Sequence, residues 1–412
     1  MSLSKNWNTD DKSRSPSNVP TQSQGRVGDS LPLSGARARE ALLHISILDG
    51  FRGIAILVVM LFHFSWAFGE GTAATHFIKH VFWTGWFGVD LFFVLSGYLI
   101  TRGLLVESKH TVGQRMRNFW FRRVLRIFPL YYAAIILGTI VCLATAARIP
   151  EWPYWLYAQN YSLAFDPDPE RWTSHLWSLA IEEQFYLVWP ALLLVIPKRA
   201  HVGTMLSLIV VGAVLRVGLV FSPHIGDPLT AAKLAYRALP TRMDGLLLGA
   251  LVAVLMATPN SALLRAWRKY RRFVLGASAL ALLGLIAWTG GLQFYDRRVI
   301  VFGYGLLAVF FATVVLTTVD GALPRYVERV FDGRLLRAFG RVSYGMYVIH
   351  WPLVSFGIPY FKRIQAWTST PRALGFGIAV TIVGITLTYV LAWLSFHYFE
   401  TPFLRLKHRF KD

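Results

Sequence analysis

The sequence predicts an all-α integral membrane protein of ten transmembrane helices, with its N- and C-termini in the cytoplasm. Three observations predict it. Of 412 residues, 55% are hydrophobic and only 16% charged, against about a quarter charged in soluble domains, and the mean hydropathy is +0.45. Ten runs are apolar and long enough to approach the roughly 20 residues that a helix needs to cross a hydrocarbon core. Lys and Arg then alternate between the connecting segments, 30 on one side and 11 on the other, and the richer side is the cytoplasmic one. The runs are rich in Leu, Val, Ile, Ala, Phe and Gly, without the every-second-residue alternation of barrel strands.

Residues 1–43 are rich in Ser, Pro, Asn, Gly and Arg. They hold too few apolar groups to build a core and read as a disordered cytoplasmic tail. No apolar signal-peptide core stands at the start. Residues 44–405 form one transmembrane domain, with spans near 53–69, 81–101, 127–147, 176–197, 202–221, 243–259, 273–290, 299–319, 342–361 and 373–397. Residues 406–412 are a short basic cytoplasmic tail. The fourth span carries Glu182 and Glu183 near its start, and the fifth contains Arg216. The net charge of +20 would suggest nucleic acid in a soluble chain. Here it sits between apolar runs, so the partner is the lipid bilayer and no nucleic acid is expected. The single cysteine, Cys142, excludes an intrachain disulfide or a cysteine-based metal site. No metal site and no bound cofactor are expected. Gly245 and Gly249 form a GxxxG pattern, read as close helix packing.

Ionisable groups at membrane depth are costly and usually face a bundle interior or a wet cavity. Here they are His63, Asp90, Glu182, Glu183, Arg216, Arg242, Asp244 and His350. Arg52 and His63 are eleven residues apart, about three helical turns, so both lie on one face, ~16 Å apart along the axis. Arg52 then sits at the cytoplasmic mouth and His63 half-way through a ~30 Å core. Two readings stand side by side: an anion held at the mouth with its far end at the imidazole, or polar glue between helices.

In "RRVLRIFPLYY", residues 122–132, the spacing of Arg122, Arg123 and Arg126 allows one basic patch, with Pro129 at the start of a span. It could grip a phosphorylated ligand or anionic headgroups. In "SHLWSLAIEEQFYLVWP", residues 174–190, His175, Ser178, Glu182 and Tyr186 fall on one face, while Glu183 points about 100° away. The orientation places this stretch at the outer end of the fourth span. It reads as a polar wall for a hydroxylated substrate, or as a helix start favouring acidic residues. Asp90 reads as a structural partner of a membrane arginine. Arg242 and Asp244 pair with one another or line the outer cavity. Ser96-Gly97 reads as a close helix approach, and His350 as packing glue.

These stretches resemble the acyltransferase-3 family of integral-membrane O-acyltransferases. The matching pieces are "LDGFRGIAILVVMLFHF", "VDLFFVLSGYLIT", "RRVLRIFPLYY", "HLWSLAIEEQFYLVWP", "RMDGLLLGA", "FGRVSYGMYVIHWP" and "HYFETP", which occur in the family's order and cover roughly residues 47–405. The resemblance implies a ten-helix enzyme of a bacterial plasma (inner) membrane. Such an enzyme moves an acyl group, often acetyl, from acyl-CoA as co-substrate to a hydroxyl of a glycan or glycosylated acceptor. The family's Arg-x10-His signature lands on Arg52 and His63, its arginine-rich segment on Arg122, Arg123 and Arg126, and its acidic position on Glu182. Weaker candidates for an acceptor cavity are Asp90, His175, Ser178, Tyr186, Asp244 and His350. Some members carry a further C-terminal hydrolase-like domain, which this chain is expected to lack. The rival class is a transporter or flippase with a polar interior. It predicts broken helices in matched repeats, and no internal repeat is visible in the sequence.

Overall fold

The computed structural model describes residues 46–68, 72–106, 109–166, 172–222, 227–365 and 370–410, without the side chains of 358–365 and 370–373. The tail expected over 1–43 lies outside the described residues. The long helices are α1 (Ser46–Phe64), α2 (Gly88–Leu105), α3 (Val112–Thr145), α4 (Trp177–Val195), α5 (His201–Phe221), α6 (Leu239–Ala257), α7 (Ala262–Thr289), α8 (Tyr304–Val319), α9 (Ser343–Gln365) and α10 (Thr370–Leu394). Each overlaps one apolar run. No strand occurs among the described residues. Within them, nine helical segments are long and apolar enough to cross a membrane; α9 is not among these. Its first half carries Ser343, Tyr344, Tyr347 and His350, which dilute the apolar run. The protein is a multi-pass helical membrane protein.

Two boundaries differ from expectation for local reasons. The second run begins as a separate helix, Ala73–Trp83, capped by Thr72, followed by a 3-10 turn at Thr84–Phe87 before α2. At this break Gly85 and Gly88 pass so close to α1 that a Cβ would overlap the carbonyls of Val58 and Ala55. The third run begins early. Thr111 and Gln114 form a reciprocal capping box, which satisfies helix-start donors and makes the arginine-rich stretch the first half of α3. Pro129, expected at a span start, therefore lies inside this helix. Two residues before it, the Ile127 carbonyl accepts from the Tyr344 hydroxyl at 2.6 Å.

The core is built where helices approach closely. α2 packs most extensively on α6, and a Cβ at Gly97 or Gly249 would overlap the Leu246 or Val94 carbonyl. Beside this seam lie two buried ion pairs, Arg242–Asp90 at 2.8 Å and Arg216–Asp244 at 2.6 Å. Arg242 and Asp244 do not pair with each other. Two residues apart on one helix, they point in nearly opposite directions, so each meets a different neighbour. The Tyr304 ring covers the Arg242 guanidinium, with its centroid 4.1 Å away.

The segment before α4 folds into the bundle as short helices, Trp152–Trp155 and Gln159–Phe165. Hydroxyls of Tyr131 and Tyr132 donate to the Tyr154 and Trp155 carbonyls at 2.7 and 2.8 Å. The Gln159 amide donates to the Leu176 carbonyl at 2.8 Å. The turn Ser174–Leu176 is thereby held beside α9, and α4 starts from there. At the other end of the chain, residues 406–410 form a 3-10 turn on α3. The Phe410 ring stacks on Phe121 at 4.8 Å and its carbonyl accepts from Arg122 at 2.6 Å.

Candidate active site

A cavity of about 90 Å³ lies between α1, α2, α3, α4 and α9. Its polar lining is Arg52 (α1), Ser96 (α2), Arg123 (α3), Ser178, Glu182 and Tyr186 (α4), and Ser343, Tyr344 and Tyr347 (α9). Ser178, Glu182 and Tyr186 recur every four residues, which puts one stripe of α4 on the cavity wall. The Tyr186 hydroxyl donates to Glu182 Oε2 at 3.1 Å. Ser96 Oγ, 2.5 Å from that hydroxyl, is then the donor to it. The Arg123 guanidinium lies 5.4 and 5.5 Å from the ring centroids of Phe119 and Tyr186, as a cation over aromatic faces. Arg52 approaches Asp49 on its own helix at 3.9 Å.

At the opposite end of the cavity the lining passes into a row of imidazoles. Ser178 Oγ and the Tyr347 hydroxyl are 2.5 Å apart, and that hydroxyl donates to the His175 carbonyl at 2.7 Å. The His175 ring stands 5.2 Å from the His350 ring. His350 Nε2 meets His63 Nδ1 at 3.0 Å, and the Trp351 ring lies 4.6 Å from His63. His175 and His350 are buried, while His63 is half-buried. Neither ring nitrogen of His175 meets a hydrogen-bond partner among the described residues.

The expected residues therefore divide. Arg52, Arg123, Glu182, Ser178 and Tyr186 come together on one cavity. His63 shares a helix with Arg52 but does not line that cavity; Tyr347, His175 and His350 stand between. Arg122 donates to the Phe410 carbonyl, and Arg126 is close enough for its charge to act on Arg52. Neither lines the cavity, and Asp90 and Asp244 are held in the ion pairs instead. The sequence places Glu182 at the end of its span remote from Arg52; the structure brings it onto the same cavity as Arg52 and Arg123. Ser96, which the sequence marks only as part of a close helix approach, also lines the cavity, and so do Tyr344 and Tyr347, which the sequence reading does not mark. Tyr344, Tyr347 and His350 recur every three residues on α9, a spacing that could have marked them. Among the described residues no group of three or more His, Cys, Asp or Glu could hold a metal ion.

Comparison with known proteins places this arrangement. The family model described as an acyltransferase domain, of the acyltransferase-3 type, matches residues 45–394. The chain belongs to the acyltransferase-3 family. The peptidoglycan O-acetyltransferase OatA of Listeria monocytogenes is 30% identical over 393 residues, 90% of this chain and 58% of that protein. A protein provisionally named as a peptidoglycan O-acetyltransferase in Bacillus subtilis is 28% identical over 383 residues, 87% of this chain and 55% of its own length. One provisionally named as an O-acetyltransferase in Staphylococcus aureus is 28% identical over 383 residues, 87% of this chain and 57% of its own length. The chain thus spans somewhat more than half the length of these curated relatives. No solved structure matches it. The acyltransferase-3 match contains every polar residue of the cavity and all three imidazoles.

Proposed function

We propose that this acyltransferase-3 protein is an O-acetyltransferase that moves an acetyl group from acetyl-CoA to a hydroxyl of a glycan or glycosylated acceptor. Its setting is a bacterial plasma membrane, with α9 as a tenth crossing and both termini cytoplasmic. One observation carries the reading: an arginine-bearing cavity continues, through hydrogen-bonded hydroxyls, into a row of imidazoles that ends on a half-buried His63. Arg52 and Arg123, with Arg122 and Arg126 nearby, supply positive charge for the donor's phosphates. Glu182, held by Tyr186, orients the wall between them.

In the reaction, the acceptor hydroxyl oxygen attacks the thioester carbonyl and His63 takes its proton. The carbon–sulfur bond then breaks. The proton passes from His63 to the departing thiolate, giving an ester and free CoA. Imidazole suits this exchange because it gains and loses a proton near neutral pH. Peptidoglycan is the acceptor named for two of the relatives, and a muropeptide hydroxyl is the first acceptor to try.

Purified wild-type protein should release free CoA from acetyl-CoA in the presence of acceptor. His63→Ala should lower that rate by ~10²–10⁴, the usual worth of a general base, while inserting and purifying as the wild type does. Wild-type turnover by His63→Ala would remove His63 from the reaction. Acceptor movement across vesicles without CoA release would replace the enzyme reading with the transporter reading.

A further inference from the structure

A neutral imidazole has one N–H and one lone pair, so the partner of one nitrogen decides the role of the other. His350 Nδ1 lies 2.7 Å from the Tyr347 carbonyl and 3.1 Å from the Met346 carbonyl. Carbonyl oxygens only accept, so Nδ1 of His350 carries the proton. Nε2 of the neutral ring is then an acceptor. What it faces is His63 Nδ1, at 3.0 Å. That nitrogen must donate, which leaves the lone pair of His63 on Nε2. His350 is fully buried, at 0% exposure, on α9. No carboxylate pairs with it among the described residues. The titratable groups around the pair are His175, its ring 5.2 Å from His350, and Tyr347, bonded through its hydroxyl to Ser178 and the His175 carbonyl.

We propose that His350 is the positioning residue of this site: it holds His63 in the Nδ1–H form and so presents Nε2 as the basic nitrogen. The inference rests on the reading of His63 as the base. When His63 Nε2 takes the acceptor hydroxyl's proton, both His63 nitrogens carry hydrogen. His350 Nε2 continues to accept from Nδ1–H and supports the imidazolium until the proton leaves with the thiolate. The logic is that of the orienting group in a catalytic triad, with a neutral lone pair in place of a carboxylate. The Trp351 ring, 4.6 Å from His63, limits rotation of the imidazole away from this partner.

The test is ¹⁵N NMR on histidine-labelled protein in membranes, with His63→Ala used to assign the His63 signals among the 11 histidines. At neutral pH, His63 should show a protonated Nδ1 and an unprotonated Nε2. In His350→Leu it should move toward the Nε2–H form. In the CoA-release assay, His350→Leu should lose about 10–100-fold in kcat, the usual cost of removing an orienting partner, with the donor KM unchanged. His350→Gln, whose side-chain oxygen offers an acceptor, should recover most of it. A wild-type His63 in the Nε2–H form overturns the proposal, as do a wild-type kcat in His350→Leu or equal loss in both variants. If His350→Leu does not accumulate, the wild-type spectrum and His350→Gln still decide. Absence of acyl transfer by the wild type would overturn the proposed function alone, because the tautomer is read from the spectrum without turnover.

Discussion

Two regions of the bundle bury charge in opposite ways. On the α2–α5–α6 flank, positive and negative groups match one to one. Arg242 meets Asp90 and Arg216 meets Asp244, every side chain at 5% exposure or less, with Tyr304 closing over Arg242. At the cavity between α1, α3 and α4, Arg52 and Arg123 border open volume with one lining carboxylate, Glu182, while Asp49 approaches Arg52 only loosely, at 3.9 Å. Arg126 adds further positive charge nearby. A buried ion pair holds a fold together mainly because removing one partner strands the other. Arginines that border a void without a tight one-to-one partner have no such role and suit an anion that arrives from outside. In this protein, then, membrane depth alone does not distinguish the sealed charges from those that border open volume; matching and space do.

The largest expected effect comes from breaking the matched side. Asp90→Ala leaves the Arg242 guanidinium buried without its carboxylate, a loss of about 3–5 kcal/mol in comparable buried pairs. Thermal unfolding in detergent should show a marked fall in Tm, with activity lost only as folded protein is lost. Replacing both partners together, Asp90→Leu with Arg242→Leu, should recover much of the stability, since paired apolar substitutes often break even. A wild-type Tm for Asp90→Ala would end the distinction between the two regions.

Arg123→Ala tests the other side and should do the reverse. Its guanidinium rests on the Phe119 and Tyr186 rings, without a carboxylate within ion-pair distance among the described residues, so Tm should move little. Hydrogen bonds to charged groups contribute about 1.5–3 kcal/mol, so affinity for CoA should weaken roughly 10–100-fold, measured by calorimetry. Raised salt should narrow the gap between variant and wild type. Unchanged CoA affinity would sink the reading of this cavity as the donor's site.

Much of this contrast was legible in the sequence, and what was hidden shares a physical cause. The helices follow from run length, and the cavity stripe of α4 follows from the four-residue spacing of Ser178, Glu182 and Tyr186. Both are local properties of a helix. The partners are not: Asp90 and Arg242 stand 152 residues apart, and His350 and His63 stand 287 apart. Spacing along one helix cannot choose among such partners. Nor could it say which arginine of 122, 123 and 126 turns to the cavity, since that depends on how α3 is rotated against α4. The meeting of Glu182 with Arg52 and Arg123 is hidden because the turn before α4 is buried, whereas hydropathy places span ends at the surface. Tyr344 and Tyr347 pass as ordinary aromatic residues because a phenol adds little to a hydropathy sum, although the Tyr347 hydroxyl joins the polar row and that of Tyr344 ties α9 to α3.

The finest test of the contrast lies within the cavity. Tyr186→Phe removes the hydroxyl between Glu182 Oε2 and Ser96 Oγ, at 3.1 and 2.5 Å, and leaves the aromatic face under Arg123 intact. On the matched flank such a deletion would strand a sealed polar group. Here the carboxylate borders open volume, and water can replace the phenol. Stability should therefore fall by only about 0.5–1.5 kcal/mol, the net worth of an ordinary hydrogen bond. CoA affinity should stay near wild type, because the cation–aromatic contact remains. A stability loss as large as that of Asp90→Ala would mean that the cavity wall is sealed as tightly as the ion-paired flank, and Glu182 would then be a structural carboxylate.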